Sequence, residues 1–327
     1  MPIVFITRPI PDAGILLLKQ ANYDIRQYTG EKIIPRDELL KSVKGADAIL
    51  SLLTEHMDDE VFAAAGPQLK VVANYAVGFD NIDLPAAKKR GITVTNTPSE
   101  ETCEAVAEHT FALILALAHR ITEADAFAKS GQYDGWNPML FLGTDVYGKT
   151  LGVVGAGRIG CSVLQRAVAG FGMKCVYADI RPNTDMKTRF HAERLPLDEL
   201  LRVSDYVSLH VPLLPSTHHL ISTEQFSLMK KTAFLINTAR GPVVDEKALL
   251  RALKTKRIAG AGIDVFECEP AIDCDLTDKL ALKSFSNVIL TPHIASGTIE
   301  SRQAMSRIAA ENILAVLSGK PALNPAK

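Results

Sequence analysis

The sequence of 327 residues has few features of a secreted, nucleic-acid-binding or membrane-spanning protein. Its five cysteines include no C-x-x-C pair, which favours reduced thiols in the cytoplasm over a disulfide framework or a zinc site. Lys and Arg (36) balance Asp and Glu (37), so the basic surplus typical of nucleic-acid binders is missing. Apolar stretches such as 111–118 are shorter than the roughly 18 residues of a membrane span, and the N-terminus does not resemble a signal peptide. We therefore expect a cytoplasmic protein without metal, nucleic-acid or membrane partners.

The length and the alternation of short β-branched runs with helical segments predict two α/β domains with parallel sheets. Both are expected to be doubly wound, one flavodoxin-like and the other a Rossmann fold. The first series has five predicted strands, and the second, more regular series has six. The predicted strands are 3–7, 23–26, 48–52, 69–73 and 93–96, then 150–154, 174–178, 206–211, 233–237, 260–265 and 287–291.

Between the two series we expect a long, largely buried helix over 104–120 and a polar connection over 131–148. The amphipathic segment 298–317 follows the last strand and is too short to form a domain of its own. We therefore expect it to return to the first domain, which gives bounds of 1–101 with 294–327 for one domain and 102–293 for the other.

A G-x-G-x-x-G string occupies 155–160, directly after a predicted strand and at the start of a predicted helix. Gly155 permits the tight turn, Gly157 allows backbone to approach a pyrophosphate, and Gly160 allows close packing of helix on strand. The N–H groups of the helix N-terminus attract an anion. A glycine turn without a ligand is the simpler reading of the string alone, but this context predicts a dinucleotide-binding domain at 102–293 and a substrate-binding domain in the remainder.

Asp179 lies 19 residues after Gly160, at the end of the second strand of this series. A carboxylate there accepts hydrogen bonds from an adenosine ribose and repels a 2′-phosphate, which favours NAD over NADP. Arg181 is close enough in sequence to pair with a 2′-phosphate, so some use of NADP stays open. The alternative is that Asp179 is an exposed turn residue.

Three further polar residues follow successive strands of the second series: Arg240, Glu269 and His293. Ligands bind outside the carboxyl ends of strands in open α/β sheets. A guanidinium can hold a keto acid through paired hydrogen bonds, and a carboxylate beside an imidazole makes the histidine a usable acid near neutral pH. Each residue alone reads as an ordinary turn or surface residue. Together they predict reversible hydride and proton transfer.

These motifs resemble the D-isomer-specific 2-hydroxyacid dehydrogenase family over nearly the whole chain. The matching segments are 155–160, 237–241, 243–246, 261–266, 269–270 and 291–294, and segments 74–83 and 136–143 are similar to its glyoxylate/hydroxypyruvate reductase branch. The resemblance implies that Arg240, Glu269 and His293 are catalytic. It also implies a homodimer built largely through the cofactor domain. Asp179 stands where NADP-preferring reductases have a small polar residue, which again favours NAD.

The resemblance also implies a set of binding residues. The substrate pocket would include Leu53, the backbone at Val77 and Gly78, Arg240, Arg302 on the last helix, and Trp136, which in this branch reaches the partner's active site; Trp136 as a plain interface or core anchor is the alternative. Asp264 would tune the His–Glu pair or the nicotinamide side. The implied cofactor contacts are Gly155, Gly157, Arg158, Ile159, Gly160, Asp179, Val211, Pro212, Thr217, Thr238, Ala239, Asp264 and Val106.

The resulting hypothesis is an NAD-dependent enzyme, with NADP the less favoured cofactor, that reduces a small 2-keto acid such as glyoxylate or hydroxypyruvate to the D-2-hydroxy acid and catalyses the reverse oxidation. Two alternatives remain at this point. One is an NADH-sensing, corepressor-like binding protein on the same fold. The other is a dehydrogenase of a small oxyanion or of a bulkier D-hydroxyacid.

Overall fold

The computed structural model describes residues 1–269 and 281–326. The chain divides into two compact units, Met1–Thr102 with Gly297–Lys327, and Cys103–Ser296. The boundaries expected from the sequence differ from these by one residue at the first crossing and by three at the second. Within the described ranges, no helix is long and apolar enough to cross a membrane.

The first unit contains a five-stranded parallel sheet in the order β2-β1-β3-β4-β5, which is the flavodoxin-like order. Strands β3 and β4 are buried at every residue, as expected when helices cover both faces of a parallel sheet. The strands are β1 (Ile3–Ile6), β2 (Asp24–Gln27), β3 (Ala48–Ser51), β4 (Val71–Asn74) and β5 (Thr93–Thr95).

Four short helices connect these strands. Two of them begin at aspartate caps, because Asp58 accepts a hydrogen bond from the Val61 amide and Asp83 accepts one from the Ala86 amide. The helices are α1 (Asp12–Gln20), α2 (Arg36–Ser42), α3 (Asp59–Ala65) and α4 (Leu84–Lys89).

The second unit contains a seven-stranded parallel sheet in the order β12-β11-β10-β9-β6-β7-β8. The strand order reverses between β6 and β9, so the doubly wound arrangement predicted for this half is confirmed. Strand β8 is absent from the prediction because it has only two exposed residues at the sheet edge and no apolar pattern. The strands are β6 (Thr150–Val154), β7 (Lys174–Ala178), β8 (Glu193–Arg194), β9 (Tyr206–Leu209), β10 (Phe234–Asn237), β11 (Gly260–Ile263) and β12 (Val288–Leu290).

The side chains of neighbouring residues in these strands pack into two apolar cores, one on each face of the sheet. Val153 and Ile236 belong to one buried cluster, and Val154 and Leu235 belong to the other. This alternation is the period of two that a strand imposes on its side chains. The helices are α5 (Glu100–Ala118), α6 (Ile121–Lys129), α7 (Arg158–Phe171), α8 (Thr184–Phe190), α9 (Leu197–Val203), α10 (Thr223–Leu228) and α11 (Glu246–Lys254).

The predicted start of the long helix at residue 104 is wrong by four residues. The hydroxyl of Ser99 accepts a hydrogen bond from the Thr102 amide, so α5 begins at Glu100. Glu104 therefore lies in the second turn, where it forms an ion pair with Arg166 instead of serving the helix N-terminus.

The last helix, α12 (Ile299–Leu317), belongs to the first unit and packs on α1. The two helices approach closely at Gly14, where an added Cβ would lie 2.1 Å from the carbonyl oxygen of Ser306. The Ser306 hydroxyl accepts a hydrogen bond from the Gly14 amide at 3.0 Å and donates one to the Pro11 carbonyl at 2.6 Å. A glycine on α1 and a serine on α12 thus hold the C-terminal segment against the start of the chain.

Candidate active site

The carboxyl ends of three neighbouring strands bring the predicted catalytic segments together. Asn237 at the end of β10 lies beside Ile263 of β11, and Ile263 lies beside Leu290 of β12. The segments that follow therefore leave the sheet at the same edge, where ligands bind in open α/β sheets. They carry Arg240, Glu269 and His293.

The His293 imidazole is paired with Glu269. Its Nδ1 lies 2.6 Å from Glu269 Oε2, and both side chains are mostly buried. His293 has a left-handed backbone with φ of 54°, which is uncommon for a residue with a side chain. The contact uses Nδ1, so Nε2 is the ring nitrogen that remains for other partners.

Asp264 holds the turn that presents His293. Its side chain is fully buried, Oδ1 accepts from the Ile294 amide and Oδ2 accepts from the Ala295 amide, each at 2.9 Å. Its carbonyl oxygen accepts from the His293 amide at 2.8 Å. Burial alone would raise the pKa of Asp264, but hydrogen bonds from His109, Thr291 and the two amides outweigh it and lower that pKa. The carboxylate is therefore an anion that orders this turn.

Arg240 lies in a turn ordered by Asn237. The Asn237 side chain accepts a hydrogen bond from the Ala239 amide at 3.0 Å and donates one to the Arg240 carbonyl at 2.9 Å. The next residue, Gly241, packs directly on the segment that leads to Glu269, since an added Cβ would lie 1.8 Å from the Phe266 carbonyl oxygen. Two of the three predicted catalytic residues thus lie on backbone segments in direct contact.

The glycine turn after β6 has the geometry of an anion site. Gly155 has φ of 101°, and an added Cβ at Gly160 would lie 2.2 Å from the Gly155 carbonyl oxygen. A Cβ at Gly157, in contrast, would meet open space. Gly157 is also the N-cap of α7 and makes no side-chain cap hydrogen bond. Two glycines are required by the protein's own packing, whereas the third leaves room for a ligand at the helix N-terminus, which fits a dinucleotide pyrophosphate.

Asp179 lies against this turn, at the end of β7. Its Oδ2 accepts from the Ala156 amide at 2.7 Å, and its Oδ1 accepts from the Arg181 amide at 3.1 Å. Arg194 donates to the Asp179 carbonyl at 2.9 Å. The predicted ribose contact is thus next to the glycine turn, with two arginines of the same chain nearby.

A buried histidine lies on the other side of the strand-order reversal. His210 directly follows β9, and an added Cβ at Gly155 would lie 2.6 Å from its carbonyl oxygen. Burial lowers the pKa of His210 to about 3. Its Nε2 lies 2.8 Å from the Ser208 hydroxyl, while its buried Nδ1 has no hydrogen-bond partner within residues 1–269 and 281–326. A neutral ring with an unpaired nitrogen at this crevice also fits a bound polar group.

The other predicted cofactor residues lie in loops of the second unit or on helices α5 and α7. Thr217 closes the loop that contains Val211 and Pro212, because its hydroxyl donates to the Pro212 carbonyl at 2.6 Å. Thr238 lies 3.2 Å from the hydroxyl of Thr110, which in turn donates to the carbonyl of Val106. Arg158 and Ile159 begin α7, and Ala239 lies in the Arg240 turn.

The predicted substrate residues of the first unit lie on loops fixed by buried polar side chains. Asn96 donates to the Val77 carbonyl at 2.7 Å, and Asn74 donates to the Gly78 carbonyl at 2.9 Å. The loop that contains Leu53 is held by Glu55, whose carboxylate accepts from the Leu52 amide at 2.9 Å. With their carbonyls held in this way, the 77–78 peptides have a fixed orientation.

Two predicted substrate residues have different surroundings. The Arg302 carbonyl accepts a hydrogen bond from the Tyr75 hydroxyl at 2.6 Å, which fixes this part of α12 in the first unit. Trp136 of the second unit is 83% exposed, so its alternative role as a core anchor is wrong: the 131–148 connection places the ring on the surface of the chain.

Three features near the site are missing from the sequence predictions. His109 on α5 contacts Thr291, and His219 pairs with Glu267 at 2.5 Å although the His218–His219 pair reads as a plain surface loop. Neither contact has a local signal, because the partners are distant in sequence. Cys268 is disulfide-bonded, which contradicts the expectation of reduced thiols at this position, whereas Cys161 and Cys175 form no disulfide.

The glycine turn at the strand-order reversal and the pairing of His293 with Glu269 fit one class of protein, an oxidoreductase that uses a nicotinamide dinucleotide. Residues 111–295 match the family model described as D-isomer specific 2-hydroxyacid dehydrogenase, NAD binding domain. The chain is also 48% identical over 323 residues to a glyoxylate reductase from Pyrococcus horikoshii, with 98% of this chain and 94% of the relative covered. The chain belongs to the D-isomer-specific 2-hydroxyacid dehydrogenase family.

Solved structures agree with this assignment. A crystal structure of a protein from Thermus thermophilus has a TM-score of 0.91 at 42% identity and covers 99% of this chain and 100% of its own. A D-lactate dehydrogenase from Aquifex aeolicus, complexed with NAD and lactic acid, has a TM-score of 0.83 at 37% identity, with 97% and 96% covered. These neighbours confirm the predicted fold class.

Proposed function

We propose that the protein reduces glyoxylate or hydroxypyruvate to the D-2-hydroxy acid with NADH, and catalyses the reverse oxidation. The observation that carries this proposal is the 2.6 Å contact between His293 Nδ1 and Glu269 Oε2 at the edge of a dinucleotide-binding sheet. The glyoxylate reductase relative supports the choice of substrate. Neither the corepressor-like alternative nor the other dehydrogenase substrates are favoured by the relatives found.

Proton transfer is assigned to His293. Because Nδ1 faces Glu269, Nε2 gives a proton to the carbonyl oxygen in the reduction and accepts it from the hydroxyl in the oxidation. Glu269 fixes the tautomer and stabilises the protonated ring. The left-handed turn held by Asp264 keeps the ring in place. This matters because a small displacement of a catalytic group lowers the reaction rate strongly.

The cofactor is assigned to the glycine turn and its surroundings. When bound, the nicotinamide dinucleotide supplies the hydride that reduces the carbonyl carbon. The amides at the start of α7 would hold the pyrophosphate, and Asp179 would accept hydrogen bonds from the ribose hydroxyls. The Asp179 carboxylate favours NAD. Arg181 and Arg194 are cations near the same site that can pair with the 2′-phosphate of NADP. Solved neighbours include both an NAD complex and an NADPH complex.

The substrate carboxylate is assigned to Arg240 and to backbone amides at Val77 and Gly78. A guanidinium binds a keto acid through paired hydrogen bonds. The Gly78 amide points away from the Val77 carbonyl because the peptide is trans, and Asn96 holds that carbonyl. We assign the Gly78 amide, on the side of the peptide opposite Asn96, to the substrate carboxylate. Leu53, Arg302 and Trp136 stay predictions as further pocket residues.

A homodimer through the second unit is supported by the exposed apolar side chains of the 131–148 connection. Trp136, Met139, Leu142 and Tyr147 are all more than half exposed. Large apolar side chains grouped on one short segment are typical of an interaction surface. A second copy of this chain is the partner that we propose for it.

A panel of 2-keto acids assayed with NADH and with NADPH tests the proposed function. We expect turnover of glyoxylate or hydroxypyruvate, with kcat/KM higher for NADH than for NADPH. Binding of NADH without turnover of any keto acid would contradict the proposal and favour a binding protein. Turnover of bulkier keto acids only would place the enzyme elsewhere in its family.

A further inference from the structure

A partly buried hydrogen-bond chain connects helix α5 to the turn that carries His293. His109 Nε2 lies 3.1 Å from the Thr291 hydroxyl, which donates to Asp264 Oδ1 at 2.6 Å. His109 Nε2 is also 3.5 Å from the same Asp264 oxygen. The role proposed for His293 and Glu269 does not itself explain why a histidine stands at position 109 on α5.

The direction of each hydrogen bond follows from the number of protons. A hydroxyl has one proton, and the Thr291 proton is used in the hydrogen bond to the Asp264 carboxylate. The Thr291 oxygen can therefore only accept from His109, so His109 carries a proton on Nε2. The chain runs from the imidazole N–H through the hydroxyl to the carboxylate. His109 is a donor whether its ring is neutral or charged.

Asp264 transmits this contact to His293. Three consecutive amides, those of His293, Ile294 and Ala295, donate to the carbonyl or carboxylate oxygens of Asp264. They hold His293 in the left-handed conformation, which is unfavourable for a residue with a side chain. A shift of the Asp264 carboxylate would thus move the His293 ring relative to Glu269.

We propose that His109 is a positioning residue, which through Thr291 and Asp264 fixes the turn that presents His293 to its partner Glu269. This inference rests on the proposed function, since it assigns to α5 a part in that same site. His109 need not touch the substrate. Its contribution is to hold the orientation of the proton-transferring ring.

The test compares two substitutions of His109 with a control at another histidine near the same helix. H109L keeps an apolar side chain but removes the donor, and H109Q keeps an N–H donor near the position of Nε2. H119L, at the exposed histidine that follows α5, is the matched control. We expect H109L to lower kcat by about 10- to 100-fold while KM changes less than about 3-fold, because a misplaced catalytic group slows the chemical step. H109Q should recover most of this loss, and H119L should behave as wild type.

A kcat of H109L within about twofold of wild type, or an H109Q as slow as H109L, would overturn the proposal. If H109L does not fold, T291V takes its place, because it removes the connecting hydroxyl at nearly constant shape. The same loss in kcat is expected for it.

A second measurement does not depend on turnover. In the protein labelled with ¹⁵N-histidine and free of ligands, the His293 ring resonances, assigned by their loss in H293Q, report the Glu269 contact. H109L should shift them towards their positions in E269Q, whereas unchanged resonances would overturn the proposal. If the wild-type protein reduces no keto acid, the proposed function fails while this measurement still decides the role of His109.

Discussion

At the scale of single residues, the proposed choice between NAD and NADP depends on Asp179. The Asp179 carboxylate accepts from the Ala156 amide of the glycine turn, and we propose that its charge also opposes a 2′-phosphate. A substitution that keeps the acceptor and removes the charge therefore tests cofactor choice without dismantling the turn.

We expect D179N to raise kcat/KM for NADPH by about tenfold, since removing a like-charge repulsion of roughly 1.4 kcal/mol has that effect. The kcat/KM for NADH should fall less. D179A, which also loses the contact with Ala156, should weaken both cofactors. An unchanged ratio of NADH to NADPH in D179N would show that Asp179 does not select the cofactor.

His210 makes the stability of the second unit depend on pH. Its pKa is about 3 in the folded protein, because burial disfavours the charged ring, and near 6.5 when unfolded. Between these values the unfolded chain binds the extra proton, so stability falls as pH is lowered from about 6.5 towards 3. The slope from this one group is at most about 1.4 kcal/mol per pH unit.

In H210Q this contribution is absent. The free energy of unfolding, measured with urea between pH 4 and 7, should therefore depend less on pH than in wild type. H56Q, at a mostly exposed histidine, is the control and should keep the wild-type slope. Equal slopes in H210Q and wild type would contradict a buried neutral His210.

At the level of elements, two glycines at the start of α7 have different roles: one is needed for packing, and the other is assigned to ligand binding. Gly160 contacts the Gly155 carbonyl so closely that a methyl group cannot fit, whereas Gly157 faces open space. Both positions belong to one motif, and the sequence predicts the roles of both. The structure adds which glycine is required for folding and which leaves room for the ligand.

We expect G160A to destabilise the protein by about 1–3 kcal/mol, as overpacked sites do, and to lower Tm. G157A should keep the wild-type Tm and bind NADH at least about tenfold more weakly, because its methyl group occupies the space assigned to the pyrophosphate. Thermal unfolding and NADH titration of the two variants check this. If G157A binds NADH as tightly as wild type, the assignment of the pyrophosphate to this turn is contradicted.

The elements also show which structural features a sequence can reveal. The strand periodicity and the glycine motif are local signals, so both sheets and the turn at 155–160 were predictable. The start of α5 had a usable signal in Ser99, which the apolar pattern obscured. Strand β8 had none, because its two residues are exposed and have no apolar pattern. The contact between His109 and Thr291 had none, because the two residues are far apart in the sequence.

For the whole molecule, the polar residues after β10, β11 and β12 were the most informative part of the sequence. Arg240, Glu269 and His293 are each ordinary alone, and only the parallel topology brings their segments to one edge. The pairing of His293 with Glu269 agrees with the contact expected from the sequence. The role of Asp264 as the acceptor for three consecutive amides required the structure.

The exposed apolar segment gives a prediction about assembly. Light scattering of the wild-type protein should give the mass of two chains, and the double variant W136S/M139S should shift towards one chain because it removes apolar area from the proposed interface. The control is I121S, which replaces an exposed apolar residue of α6 outside that segment. A wild-type protein with the mass of a single chain would contradict the proposed homodimer.

The central claim is that His293, held by Glu269, transfers the proton in a nicotinamide-dependent reduction of a 2-keto acid. The most direct test is kcat for glyoxylate in wild type and in H293A, with NADH affinity measured alongside. We predict that H293A loses about 10²- to 10⁴-fold in kcat, the usual contribution of general acid catalysis, while NADH affinity stays within about threefold of wild type. Near-normal turnover in H293A would contradict the account.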